Sequence, residues 1–509
     1  MRNASLKILT AACLGLLVVF MALAGSERAE TSDRQLEELI EKKMEAGGIP
    51  GLTAVAVKGN QVILNKGFGY ADSGHSRPVT SSTLFEMGST SKAFTALGVL
   101  ELVRSGKVNL QAPVSQYIEG FYALYHGEKQ EITVEQLMYH TSGIPFLSIA
   151  DIQAGSEKDA LRRTAEGMKG IELSHMPGTE FEYATINYDV LGYIIEKVSG
   201  QPYEQYMEEH IFHPLGLSHT YAGRQALNGE ELSEGFKIGF FKSRAYQAPD
   251  YRGNTPAGYI MTDGEDLAKW LQYQLLNKNN DDDIQKWIEK SHKPNVETKT
   301  EESDVYYGFG WSVKQKNGRT KEIFHAGSNP NFSSFLIIRP KEKTAVGILA
   351  NMNSAYPEHI AREVLNAVTD SQNKDGEADV ADPFRFIDVI SVILLIIFIF
   401  ILVIIIFRLS VLLKKVKTGI KVWQPLRQRN LIVASIWSLV LAAGLFVPQL
   451  ISILLFNGLP WKMIYIWGPF SLIYLASAYY ILIVLSCTFG LMKSLTSSHT
   501  AKRSEAHDI

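Results

Sequence analysis

Hydrophobic positions are arranged in two different ways along this chain. Between residues 35 and about 370 they recur with the periods of helices and strands, whereas near both ends they run together. Gln35–Ala46 places Leu36, Leu39, Ile40 and Met44 on one helical face. Leu52–Val57 and Val62–Asn65, separated by Gly59-Asn60, predict a strand hairpin. The spacing predicts a helix from about Ser89 to Arg104, with Phe94, Leu97, Leu100 and Val103 inward and a stop at Gly106. Another runs over Tyr188–Val198 and ends at Gly200. Ile323–His325, Ser334–Arg339 and Thr344–Ala350 read as short strands, with a turn at Pro340-Lys341-Glu342-Lys343, and Pro357–Val368 as a closing helix. This order predicts an α/β protein of the α+β type. One antiparallel sheet is made from both ends of the segment, flanked by helices, with a mainly helical insertion.

The continuous apolar runs mean something else. Residues 1–24 have Arg2 and Lys7, then an almost wholly apolar Ile8–Leu23, then Ala22-Leu23-Ala24. This reads as a secretory signal or, if uncleaved, an anchor. Val389–Phe407 is interrupted only by Ser391 and would span roughly 28 Å as a helix, close to a hydrocarbon core. Leu431–Phe456 and Ile464–Met492 follow, with Pro448, Gly468 and Pro469 as possible kinks. Three transmembrane helices are expected within residues 388–493, after a polar linker at 371–387 and before a tail at 494–509.

Charge sets the orientation. The loop 408–430 carries Arg408, Lys414, Lys415, Lys417, Lys421, Arg427 and Arg429, whereas 457–463 has only Lys462. The basic loop and the tail are therefore expected in the cytoplasm, and residues 27–388 outside. The formal net charge of −3 hides an asymmetry, because residues 27–388 hold 37 basic and 51 acidic side chains. An acidic globular part on a basic, apolar tail argues against a nucleic-acid binder. Cys13 and Cys487 both lie in apolar runs, which leaves the folded part without a disulfide framework, a cysteine zinc site or a thiol nucleophile. The spans carry no charge at their centres, so ion transport is a poor reading.

Candidate chemistry centres on Ser89-Thr90-Ser91-Lys92, which puts a hydroxyl one helical turn from an amine. A serine needs a base to become a nucleophile. A lysine serves as one only where its charged form is disfavoured. The same spacing at Ser371–Lys374 falls in the polar linker, so context must decide. His210 and His213 beside Pro214 read as incidental, and Asp281-Asp282-Asp283 as a solvated loop, so no metal is expected.

The context is informative. Leu84-Phe85-Glu86-Met87-Gly88-Ser89-Thr90-Ser91-Lys92-Ala93-Phe94-Thr95 resembles the active-site helix of class C β-lactamase-related serine hydrolases and penicillin-binding proteins. Further matches follow in order: His140-Thr141-Ser142-Gly143, Pro177-Gly178-Thr179, Tyr183, Asn187-Tyr188-Asp189, Pro214-Leu215-Gly216-Leu217 and His325-Ala326-Gly327. The resemblance covers 33–370. The exported domain with C-terminal spans resembles the membrane-anchored, FmtA-like branch.

That resemblance implies roles. Ser89 stands as the acylated nucleophile, Lys92 as its proton acceptor or electrostatic partner, and Tyr183 as the proton shuttle. His325 stands where many relatives have a lysine, and as an anchor or proton donor it would give a rate that changes between about pH 5 and 8. The N–H groups of Ser89 and Ser328 would form an oxyanion hole beside Gly327. The family's Tyr-x-Asn is here Tyr183-Ala184-Thr185, which puts Thr185, and less well Asn187, in the place of a substrate-binding amide. The expected function is an acyl-enzyme hydrolase of D-amino-acid amides or esters in the cell envelope, either peptidoglycan stem peptides or D-alanylated teichoic acid. No cofactor is expected, and the partners are that substrate and the bilayer. The alternative is a non-catalytic envelope-binding or sensory protein.

Overall fold

The computed structural model describes residues 34–275, 282–369, 380–424 and 428–498. The signal or anchor at 1–24, the side chains of the acidic patch 281–283, the linker through 379 and the tail beyond 498 lie outside them. The first helix, α1, spans 34–47. Strands β1 (Gly51–Lys58) and β2 (Gln61–Gly69) follow, then helices α2 (Lys92–Arg104) and α3 (Ile186–Ser199). A hairpin, β3 (Phe236–Gly239) and β4 (Lys242–Ala245), leads to α4 (Gly264–Gln274). The chain then adds β5 (Val305–Tyr307), β6 (Ser312–Lys316), β7 (Arg319–Asn329), β8 (Phe332–Arg339), β9 (Thr344–Ala350) and α5 (Tyr356–Val368).

The main sheet has seven antiparallel strands in the order β5-β6-β7-β8-β9-β1-β2. Its two chain ends meet where Leu52 pairs with Ala350 and Lys58 with Thr344. β8 and β9 are buried throughout because both faces are covered. Alternation sorts the side chains. Leu336, Ile338 and Leu349 pack with α2, α3 and α4, and Phe335, Ile337, Val346 and Ile348 pack with Ile40 of α1 and Ile360, Val364 and Leu365 of α5. α2 is buried on nearly every side, as its almost unbroken apolar sequence requires. Its Thr95 donates to Pro256 O at 2.6 Å.

Two strands exceed the sequence expectation. β6 is mostly polar and β5 has three residues, so neither gives a period-two signal. β7 also starts earlier than Ile323, because its buried Glu322 is paired with Arg339 at 3.0 Å and Arg362 at 3.1 Å. Those guanidinium groups hold the Glu322 carboxyl below its ordinary value despite burial.

Three later helices are long and apolar enough to cross a membrane: α6 (Pro383–Lys417), α7 (Gln428–Leu455) and, after the short α8 (Trp461–Trp467), α9 (Phe470–Ser494). α6 begins inside the segment read as linker, because Asp382 caps it through Phe384 N and Arg385 N. At about 1.5 Å per residue its 35 residues reach about 52 Å, longer than a hydrocarbon core of about 30 Å. Pro448 inside α7 frees the carbonyl of Gly444, and Tyr479 Oη donates to it at 2.7 Å.

Candidate active site

Ser89 sits in a tight 3-10 turn, Gly88–Ser91, that leads into α2 rather than in the α-helix itself. The turn lies flat against β7. Gly88 has φ +58, and a Cβ there would collide with Ser328 N, while one on Gly327 would collide with Met87 O. Met87 O is in turn bound by Thr90 Oγ1 at 2.8 Å and Ser334 Oγ at 2.6 Å. Below the turn, Glu86 is buried and accepts from Arg224 at 2.8 Å and Asn329 Nδ2 at 2.7 Å. Burial pushes its carboxyl above the ordinary value, against the pull of Arg224.

Lys92 is fully buried. Its Nζ donates to Ser89 Oγ at 3.1 Å and to Ala257 O at 2.8 Å, and it lies 5.1 Å from the ring centre of Tyr183. Behind it is the buried Asp189. Asn254, with its amide nitrogen turned inward, donates to both Asp189 oxygens at 3.1 and 2.9 Å. Burial raises the Asp189 carboxyl well above its ordinary value, and the nearby Lys92 charge opposes this.

The other wall is less completely paired. Tyr183 Oη is buried with no hydrogen-bond partner. Its ring packs 4.3 Å from that of His140 and 6.1 Å from that of His325. His325 Nδ1 faces Ala326 O at 2.7 Å, which can only accept, so Nδ1 carries the proton and donates, and Nε2 accepts from Tyr307 Oη at 2.9 Å. Burial, reinforced by Lys92, lowers its pKa to about 3. The expectation of a His325 titration between pH 5 and 8 is therefore corrected: burial keeps the ring neutral in that range, so it supplies no cation to the cleft. Burial likewise holds His140 well below its ordinary value, with Lys92 and His325 adding to the effect.

The structure brings Ser89, Tyr183, His325 and Ser328 to one cleft of about 1060 Å³, with Lys92 directly behind Ser89. Gly327 supports it from β7. Thr185 and Asn187 do not line it. Asn187 is buried, and its amide is spent on His140 Nδ1 at 3.0 Å and Ser142 Oγ at 2.9 Å. That correction has a simple cause: Asn187 lies in the first turn of α3 and faces the His140 loop. Ser328 Oγ donates to Asn353 Oδ1 at 2.9 Å.

Sequence reasoning missed Tyr307, Asp189, Glu86 and the charge of the cleft. Tyr307-Gly308-Phe309-Gly310-Trp311 was the available signal for the first. The lining includes Glu180, Glu182, Glu301 and Glu302 and no lysine or arginine. Among the described residues His219, Asp263 and Glu265 also cluster, but Asp263 caps α4 through Asp266 N at 2.8 Å and holds His219 Nδ1 at 2.9 Å, which accounts for the group.

Comparison with known proteins identifies the family of this fold. The model of the Beta-lactamase family matches residues 36–370. "Protein flp" of Staphylococcus aureus (strain MW2) is 33% identical over 371 residues, 72% of this chain and 73% of that protein. "Putative penicillin-binding protein PbpX" of Bacillus subtilis (strain 168) is 32% identical over 57% of this chain and 68% of its own length. Among solved structures, the octameric penicillin-binding protein homologue from Pyrococcus abyssi is 26% identical with a TM-score of 0.59, covering 69% of this chain and 79% of that one. EstCE1, a hydrolase with promiscuous acyltransferase activity, shares the fold at 18% identity and a TM-score of 0.58, over 67% of this chain and 98% of its own.

Proposed function

Because the chain belongs to the Beta-lactamase family, we propose that it is a membrane-held serine hydrolase, facing outward, that cleaves aminoacyl esters of the cell envelope through an acyl-enzyme. The observation that carries this reading is the Lys92–Ser89 contact of 3.1 Å at the floor of the cleft. Ser89 Oγ attacks the carbonyl carbon while its proton passes to Lys92, which enters this step as the free amine. The carbonyl oxygen becomes an oxyanion between the N–H groups of Ser89 and Ser328. Each such donor lowers a barrier by about 3–4 kcal/mol. The bond to the leaving oxygen then breaks, and that oxygen takes a proton through Tyr183. Water repeats the attack, releases the acid and returns the proton to Ser89.

Charge favours the ester over the peptide. A stem peptide or a β-lactam presents a carboxylate, which this wall of glutamates repels and the neutral His325 cannot bind. A D-alanyl ester presents a free ammonium, which the same wall attracts. The D-alanyl ester of a polyol phosphate is the expected substrate type, ahead of D-alanyl-D-alanine peptides. The test measures release of D-alanine from both by the full chain in detergent, as wild type and as Ser89→Ala. Ester turnover that vanishes in the variant supports the proposal. A non-catalytic binding protein would show no Ser89-dependent turnover of either, and preference for the peptide would overturn the choice of substrate.

A further inference from the structure

The cleft is walled partly by the membrane domain. Asn457, in the turn between α7 and α8, lines it together with Pro145, Phe146 and Leu147. A Cβ on the neighbouring Gly458 would lie 3.8 Å from Leu147 Cδ1. On this rim Phe146 and Leu147 are 39 and 40% exposed, and Met176, next in sequence to the lining His175, is 45% exposed. The turn at 456–460 joins two elements of the membrane domain on the same side as the start of α6, so the opening lies where the apolar layer ends.

The globular part is also fixed against that layer. The β3–β4 hairpin has two successive phenylalanines in the left-handed region, Phe240 at φ +55 and Phe241 at φ +64, where such turns favour Asn-Gly. The buried Asp388 of α6 holds that turn. Its carboxylate accepts from Phe240 N at 3.0 Å, Phe241 N at 2.7 Å and Ser471 Oγ of α9 at 2.5 Å. Lys237 on β3 donates to Tyr465 O at the end of α8 at 2.9 Å and lies 4.6 Å from the Phe470 ring centre. Asn331, in the β7–β8 turn close to Ser328, donates to Tyr246 O at 2.9 Å and so ties the hairpin to the catalytic strand. These contacts join the globular part to α6, α8 and α9.

We infer that the acyl donor is carried on a membrane lipid, reaching Ser89 between Phe146, Leu147 and Asn457 while its chains stay in the outer leaflet. This rests on the hydrolase reading above. The apolar rim meets the lipid-proximal part of the donor, and the acidic interior receives its ammonium. The chemical step is unchanged: the D-alanyl carbonyl carbon exchanges its bond to the glycerol oxygen for one to Ser89 Oγ, the glycerol oxygen takes the proton, and water then releases D-alanine.

The experiment uses the full chain in lipid nanodiscs and two esters with the same reacting group. One is the D-alanyl ester of glycerol phosphate in solution, and the other is the D-alanyl ester of phosphatidylglycerol in the disc. The lipid-borne ester is expected to be cleaved at least tenfold faster at equal total concentration. Phe146→Glu combined with Leu147→Glu is expected to cut that advantage at least fivefold, with an unchanged melting temperature and covalent labelling of Ser89 by a fluorophosphonate reporting that the protein is folded. Ser89-dependent cleavage of both esters at equal rates would overturn the lipid assignment and leave the hydrolase standing. A variant that keeps the full lipid advantage would also overturn it. No Ser89-dependent cleavage of either ester would remove the hydrolase reading itself.

Discussion

The two walls of the cleft are built to different standards. On the nucleophile side, Met87 O, Thr90, Ser334, Glu86, Asn329 and Lys92 are all paired, and glycines let the turn touch β7 directly. On the facing side, Tyr183 Oη and His140 Nε2 are buried without partners, and of the four lining glutamates Glu182 accepts from Phe146 N at 2.7 Å and Glu302 from Lys314 at 3.2 Å. A buried hydroxyl without a partner costs about 1–3 kcal/mol. The difference teaches that the chemistry is assembled in advance, whereas the recognition wall keeps unsatisfied groups that a substrate completes.

Changes on the paired wall should cost the most. Lys92→Ala removes the amine at 3.1 Å from Ser89 Oγ, and the ester rate is expected to fall by about 10³, within the range for loss of a positioned base. Steady-state kinetics at saturating ester checks this, and a fall below tenfold would place the base elsewhere. Tyr183→Phe sharpens the contrast, because it removes an orphaned hydroxyl. Turnover should fall about 10²-fold, the low end for loss of one proton-transfer group, while thermal stability holds or rises. A drop in melting temperature would show that Tyr183 Oη is satisfied in the folded protein.

Charge reversal on the open wall is a smaller effect. Glu301→Lys with Glu302→Lys is expected to shift the ratio of ester to D-alanyl-D-alanine cleavage severalfold toward the peptide, and to do so more at low salt. An unchanged ratio would detach substrate choice from the glutamates. The smallest effect concerns pH. His325 with a pKa near 3 contributes no step to the rate between pH 5 and 8. In the unfolded chain it takes up a proton near 6.5, so the unfolded state binds more protons and stability declines as pH falls from about 6.5 toward 3. His292, also lowered to about 3 by burial, adds in the same direction. Denaturant titration at a series of pH values measures it, and a stability that rises over that acid range would contradict the buried neutral rings.

Much of this was legible in the residues. Short, nearly continuous apolar runs at 334–339 and 344–350, set apart by the turn at 340–343, located the central strands, because both faces of the sheet are covered by apolar helices. Ser89 and Lys92 were legible because helical spacing makes them neighbours and the residues from Leu84 to Thr95 around them resemble a known active-site helix. Three things were not. β6 is polar and held by pairing rather than by a buried face. Tyr307 and His325 meet only through the register of β5, β6 and β7, which no local pattern reports. Asn187 looked available because the one-dimensional motif hides which way the first turn of α3 points. The contact of Asp388 with Phe240 and Phe241 joins positions 147 and 148 residues apart, and an isolated acid at the head of an apolar run gave no sign of its partners.

The central claim is that one serine oxygen is activated by one buried amine. It is tested most directly by treating the full-length protein with a fluorophosphonate and measuring its intact mass over time, followed by peptide mapping. The account expects one adduct, on Ser89, absent in Ser89→Ala and formed much more slowly in Lys92→Ala. An adduct on another residue, or one that forms on Ser89 at the same rate without Lys92, would contradict it.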